Sequence, residues 1–209
     1  MQNEDIKMLT EKPNKPSKKD KERVFKLWDE TIEFKNYKQE DETLKWLFKK
    51  FKKNTNLDEI IVKITCLDTF YSTNLTMNAK IPDIAEKIMQ LNFDERVEKG
   101  RLDLVDELEN LAKNKIRSFA SKYCAWHNWY LYEKDDFVIY DGIVRKKLAY
   151  FNKHYPFAKF SEKGLKEGSY ADYKAVLEQF RDKFELECEF RYLDWYLWRL
   201  GKLEKLGKI

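Results

Sequence analysis

Only six glycines and four prolines punctuate 209 residues. Tight turns between strands need such residues, because Gly supplies positive φ and Pro a fixed φ. Their scarcity favours helices separated by polar breaks. The apolar residues agree with this. Ile60, Ile61, Ile64, Leu67, Phe70 and Tyr71 recur at helical spacing within 57 to about 74, the least polar stretch, which reads as a core helix. At most two short pieces read as extended, and no alternating run reads as a strand. The expected fold class is all-α, with about nine or ten helices.

Hydrophobic residues are 43% of the chain and charged residues 37%. That is enough apolar material for a core, as one domain or two closely packed lobes. Residues 1–21 are polar and lysine-rich and carry Pro13 and Pro16, which reads as a flexible tail. Residues 22–209 read as the helical body. An amphipathic helix is expected from Glu22 through Val24, Phe25, Trp28, Ile32 and Phe34. Asp41 is expected to cap a second helix bearing Leu44, Trp46, Leu47, Phe48 and Phe51. Further helices are expected near 82–91, 94–99, 103–112 and 116–127, then a loop over 129–138. Asp141 opens a helix to about 152. Pro156, Gly164 and Gly168 mark a longer connection. Ser169 caps a helix to about 184, and the last helix runs over about 187–203.

No apolar run approaches a membrane span, and the N-terminus lacks a signal-peptide core, so a cytoplasmic protein without a membrane partner is expected. The three cysteines, Cys66, Cys124 and Cys188, form no CxxC pair and read as buried reduced thiols. With His127 and His154 as the two histidines, no metal site and no cofactor are expected. The net charge of +4 is mildly basic. The lysines cluster, however, at Lys45, Lys49, Lys50, Lys52 and Lys53, and again at Arg145, Lys146 and Lys147. Such clusters suit phosphates or, equally, a solvated helix face.

The richest segment for chemistry runs from Phe119 to Leu148. An apolar helix leads through a loop to Asp141, set just before a basic helix. As an N-cap, Asp141 accepts a backbone N–H, and the helix dipole favours its ionised form. An ionised carboxylate in a cleft could stabilise an oxocarbenium-like sugar. An Asp before a helix has either meaning. Trp126, His127 and Trp129 would wall a base pocket or fill the core. Near the C-terminus, Arg191 and Asp194 share a helix face. They would form a buried pair that locks the last helix onto the core, or else take a role beside the Asp141 cleft.

The order of elements over 57–148 resembles the helix-hairpin-helix (HhH-GPD) superfamily of DNA glycosylases, with the 8-oxoguanine-glycosylase-like branch nearest. Phe119-Ala120 resembles the start of the hairpin's second helix. The run from Phe137 to Arg145 resembles the segment around the family's catalytic aspartate, at Asp141. Ile64 to Tyr71 resembles the early core helix. The resemblance implies a two-lobed helical fold with a central cleft and double-stranded DNA as partner. It implies cleavage of the N-glycosidic bond of a flipped base, with Trp126, His127 and Trp129 holding that base. Lys115, Arg117, Arg145 and Lys146 would contact phosphates. The family's glycine-rich hairpin is replaced here by Leu111 to Arg117, with Asn114 as the residue able to turn left-handed. The usual Schiff-base lysine position holds Ser118. Lys122 lies one turn further on and could face the same cleft, and Lys115 is the other candidate. The alternative is a non-catalytic helical module that binds DNA or a protein.

Overall fold

A computed structural model describes residues 13–209, and every regular element among them is helical. The part of the expected tail over residues 1–12 lies outside the described residues. Its remainder is structured. Helix α1 (Lys18–Asp29) begins inside it, because Ser17 caps the helix by accepting from the Asp20 N–H. Asp20 is then buried, and the Tyr196 hydroxyl donates to it at 2.7 Å. Thr31 caps α2 (Ile32–Lys50), so the chain breaks before Ile32, which is exposed. Asp41 is no cap. It sits in the middle of α2 and accepts from the Tyr71 and Tyr130 hydroxyls. Leu44, Leu47 and Phe48 face the core, whereas Trp46 points to solvent.

Asn56 caps α3 (Leu57–Tyr71), the expected core helix. Then follow α4 (Ile81–Gln90), α5 (Phe93–Glu98) and α6 (Asp103–Glu109). Helix α7 (Arg117–Tyr132) runs past the expected end, and the loop foreseen from residue 129 starts only at Glu133. Burial explains the extension. Every residue from Phe119 to Tyr130 is buried, so the apolar surface of Trp129 and Tyr130 continues the helix rather than ending it. Helices α8 (Gly142–His154), α9 (Glu162–Glu167), α10 (Tyr170–Lys183) and α11 (Phe190–Lys205) complete the chain. The short α9, capped by Ser161, occupies the connection expected to be irregular. None of the described helices is long and apolar enough to cross a membrane.

The polar groups on α7 are tied to other elements. His127 Nδ1 lies 2.7 Å from the Tyr123 carbonyl, which makes Nδ1 the donor and leaves Nε2 to accept. Nε2 receives Lys63 Nζ at 3.2 Å and Asn54 Nδ2 at 3.1 Å. Lys63 Nζ also donates to the Phe51 and Lys53 carbonyls, closing the end of α2. Burial pushes the Lys63 pKa down to about 8, against the pull of Asp94 and Glu59. His127 is therefore a satisfied core residue and not a base ligand. Trp126 is likewise core, packed against Phe48, Tyr71 and Tyr130.

Burial, and then the Lys63 charge, hold the His127 pKa well below its ordinary 6.5. In the unfolded chain His127 takes up a proton near pH 6.5 that the folded chain refuses. Stability contributed by this group is full above that pH and is lost as pH falls, by up to about 1.4 kcal/mol per pH unit. Urea unfolding at pH 7.5 and 5.5 should show this slope, and His127→Gln should flatten it. An equal slope in the variant would contradict the neutral assignment.

Candidate functional site

The middle of the loop after α7, from Phe137 to Ile139, is buried, and its backbone must be satisfied inside the protein. Asn128 holds its start, accepting from the Asp136 N–H and donating to the Asp136 carboxylate. Phe137, Val138 and Ile139 are buried without regular secondary structure. The Tyr170 hydroxyl receives the Val138 N–H and donates to the Val138 carbonyl, both at 2.6 Å. The Tyr173 hydroxyl donates to the Ile139 carbonyl at 3.2 Å, and the Tyr140 N–H donates to Ser121 Oγ on α7 at 2.9 Å. This clamp delivers Asp141 to one place above α7.

Asp141 caps α8, its Oδ1 accepting from the Ile143 N–H at 2.7 Å. Its other oxygen, Oδ2, stands 3.6 Å from Lys122 Nζ. Lys122 is buried and also donates to Ser118 Oγ at 2.8 Å. Ser118 thus serves to orient Lys122. Asp194 on α11 lines the same cleft and is buried, with Oδ1 lacking a hydrogen-bond partner. The expected Arg191–Asp194 pair does not form. The Arg191 guanidinium instead lies over Trp129 at 5.2 Å and Trp195 at 5.6 Å.

These three groups line a cleft of about 1060 Å³ between α1–α3 on one side and α7, α8 and α11 on the other. One wall is aromatic. Trp198 packs edge to face on Trp28 and on Tyr37, which are tilted against each other, with centroids 4.9–5.6 Å apart, and Phe34 and Trp195 extend the wall. Lys38, Arg145, Lys146, Lys147, Lys202 and Lys205 are cationic residues of the lining. Close packing of α8 on α11 shapes this side, because a Cβ at Gly201 would run into Ile143 Cγ2.

Asp141, Lys122, Arg145 and Lys146 therefore come together. Arg145 also pairs with Glu162 at 2.7 Å. The three residues expected to hold a base do not join them. Trp126 stands behind Tyr71, His127 lies deep in the core, and Trp129 lines a separate depression of about 300 Å³ with Arg191. Helical period explains the displacement. Lys122 and Trp126 are one turn apart, but α7 is buried all round, so only its Lys122 end reaches the cleft. The aromatic wall comes instead from α1, α2 and α11, where Trp28, Tyr37 and Trp198 are far apart in sequence. The tryptophans of 195–198 were the one local sign of it.

Arg117 is not a phosphate ligand. It is buried, binds both oxygens of the buried Glu109, donates to the Gly168 carbonyl at 2.6 Å, and lies over Tyr140. Burial disfavours the Glu109 carboxylate, yet bonds from Arg117 and Lys115 outweigh it and hold its pKa below the ordinary value. Lys115 is exposed beside Glu109 and is absent from the cleft lining. The α6–α7 connection has no left-handed residue. Asn114 is not at positive φ and bonds to Asn78 across the surface.

Two substitutions test this architecture by urea unfolding. Arg117→Met strands the Glu109 carboxylate and should cost about 3–5 kcal/mol. Gly201→Ala forces α8 and α11 apart and should cost about 1–3 kcal/mol. A neutral effect of either would contradict the packing described.

Residues 20–135 match the family model described as the HI_0787 N-terminal domain (HI_0787_N). That segment carries α1 to α7, with Lys122 and most of one cleft wall, while Asp141 and Asp194 lie beyond it. An uncharacterized protein of Haemophilus influenzae is 36% identical over 154 residues, covering 71% of this chain and 69% of its own length. No solved structure matches the chain. With more than half of its residues in that match, the chain belongs to the HI_0787_N family.

Proposed function

We propose that the protein excises a base from DNA, cleaving the N-glycosidic bond with Lys122 as the attacking amine and Asp141 as the carboxylate that steadies the sugar. The observation that carries this reading is the 3.6 Å approach of Lys122 Nζ to Asp141 Oδ2 at the floor of the cleft. Asp141 is the residue that the HhH-GPD resemblance carries over, and Lys122 stands one turn beyond Ser118, which occupies that family's usual lysine position. An amine beside a carboxylate at a helix N-terminus suits attack on a sugar carbon that develops positive charge. The aromatic wall offers stacking faces for an extruded base, and the cationic lining offers counter-charges for flanking phosphates. Attack by Lys122 leaves the sugar joined to the lysine, and ring opening gives a Schiff base that permits strand cleavage.

The test is an excision assay on duplexes carrying oxidised, alkylated and deaminated bases, with borohydride trapping. The wild type should release at least one base and form a trapped adduct. Lys122→Gln should abolish trapping, whereas Lys115→Gln should trap normally because Lys115 is not part of the cleft. Asp141→Asn should slow single-turnover release about 100-fold or more. Release of no base from any duplex would remove the enzymatic reading.

One observation favours a second reading, a DNA-binding module without catalysis. The α6–α7 connection over 110–116 has no glycine and no left-handed residue, so the close backbone approach that such hairpins give a phosphate is missing. Binding that weakens steeply with salt, with no base released, would support that reading.

A further inference from the structure

Asp194 is the third group of the cleft and has no part in the scheme above. It lies on α11 beside Trp195 and Trp198, is 5% exposed, and leaves Oδ1 buried without a hydrogen-bond partner. A buried carboxyl that keeps no partner is costly unless a ligand satisfies it or it carries a proton. Two carboxyl groups share the cleft lining with one amine, and their surroundings differ. Asp141 has a helix N-terminus and Lys122. Among the described residues, Asp194 forms no ion pair and its Oδ1 receives no hydrogen bond.

We infer that Asp194 is the proton donor to the departing base, acting from α11 within the cleft that it lines together with Asp141 and Lys122. The inference rests on the excision reading above. Burial, and then the neighbouring Asp141 charge, push the Asp194 pKa well above the ordinary carboxyl value, while Lys122 pulls the other way. Asp194 thus holds its proton to higher pH than an ordinary aspartate, as a general acid must. The other titratable groups that feel its charge are Tyr71 from α3 and Tyr170 and Tyr173 from α10, all held neutral by burial first and then by nearby charge.

The step balances as follows. Lys122 first gives its ammonium proton to solvent. Its lone pair then forms a bond to the sugar C1′ while the C1′–base bond breaks, and that bond's electron pair stays on the base. The Asp194 O–H proton passes to the base, which leaves neutral. The Asp194 carboxylate then takes a proton from the secondary aminium at Lys122. The net result moves one amine proton to the base, with no oxidant or reductant involved.

The test compares two kinds of leaving base in single-turnover release by the full chain. Neutral bases, such as uracil, hypoxanthine or 8-oxoguanine, need the proton. The 7-methylguanine cation already carries its positive charge and leaves without one. Asp194→Asn, the neutral isostere, should slow release of neutral bases about 100-fold or more. It should leave 7-methylguanine release unchanged. With a neutral base, the wild-type rate should fall on the alkaline side as Asp194 loses its proton. Asp194→Asn should lack the alkaline fall, and this decides the matter if neutral bases alone are released. Equal losses on both kinds of base, no loss on neutral ones, or an alkaline fall that survives in the variant would overturn the role of Asp194 while the excision reading stands. A wild type that releases neither kind overturns both.

Discussion

A helix buried on every face has to place its polar groups against partners, and α7 does so, the Trp126 Nε1–H excepted, in a way that organises the rest of the molecule. Ser121 takes the Tyr140 N–H and so fixes the segment before α8. Tyr123 and His127 meet Asn54 and Lys63 and close the corner between α2 and α3. Asn128 reaches the Val97 carbonyl and Asp136, joining α5 to the following loop. Lys122 goes to Ser118 and Asp141. Each bond is worth about 1 kcal/mol net when made, but leaving a buried polar group unpaired costs about 1–3 kcal/mol. The arrangement is therefore fixed less by what each bond contributes than by what its loss would cost.

Two buried basic groups illustrate opposite uses of the same physics. Arg117 is fully engaged. Glu109 takes its charge, the Gly168 carbonyl takes a further donor, and the Tyr140 ring covers its face. A bidentate guanidinium suits such a closed structural pair. Lys122 is held more openly, by one hydroxyl at hydrogen-bond distance and one carboxylate at 3.6 Å. The buried Asp194 carboxyl nearby lacks a partner on Oδ1. A group arranged this way retains capacity for a ligand, which is what separates Lys122 from the structural arginine five residues earlier on the same helix.

Helical class and most helix positions were legible because apolar period and capping residues act locally. Ser169 and its partner Asp172 form a capping box that fixes the start of α10. Asp141 as an N-cap was readable for the same reason. The end of α7 was not, since Trp129 and Tyr130 stay helical through contacts with α2 and α11 rather than through anything in their own segment. The break at Thr31 was hidden by an apolar spacing that runs through Ile32 although its side chain is solvent-exposed. In the cleft, Lys122 followed from its place one turn beyond Ser118. The aromatic wall did not, because it is assembled from α1, α2 and α11, and only folding brings Trp28 to Trp198.

The two halves of the cleft place different demands on their helices. The wall of Trp28, Tyr37 and Trp198 is held by ring packing that tolerates small shifts, since edge contacts change slowly with angle. The floor has no such tolerance. Asp141 depends on the Val138–Tyr140 clamp, and α8 depends on a glycine at 201 to sit close to α11. A displacement of α11 would carry Asp194 away from Lys122 and would also open the wall through Trp195 and Trp198. One helix thus sets both the distance between the two acidic groups and the width of the stacking surface. Chemistry that needs a base held flat and a sugar held near an amine would be controlled by the seating of α11 more than by any single side chain on it.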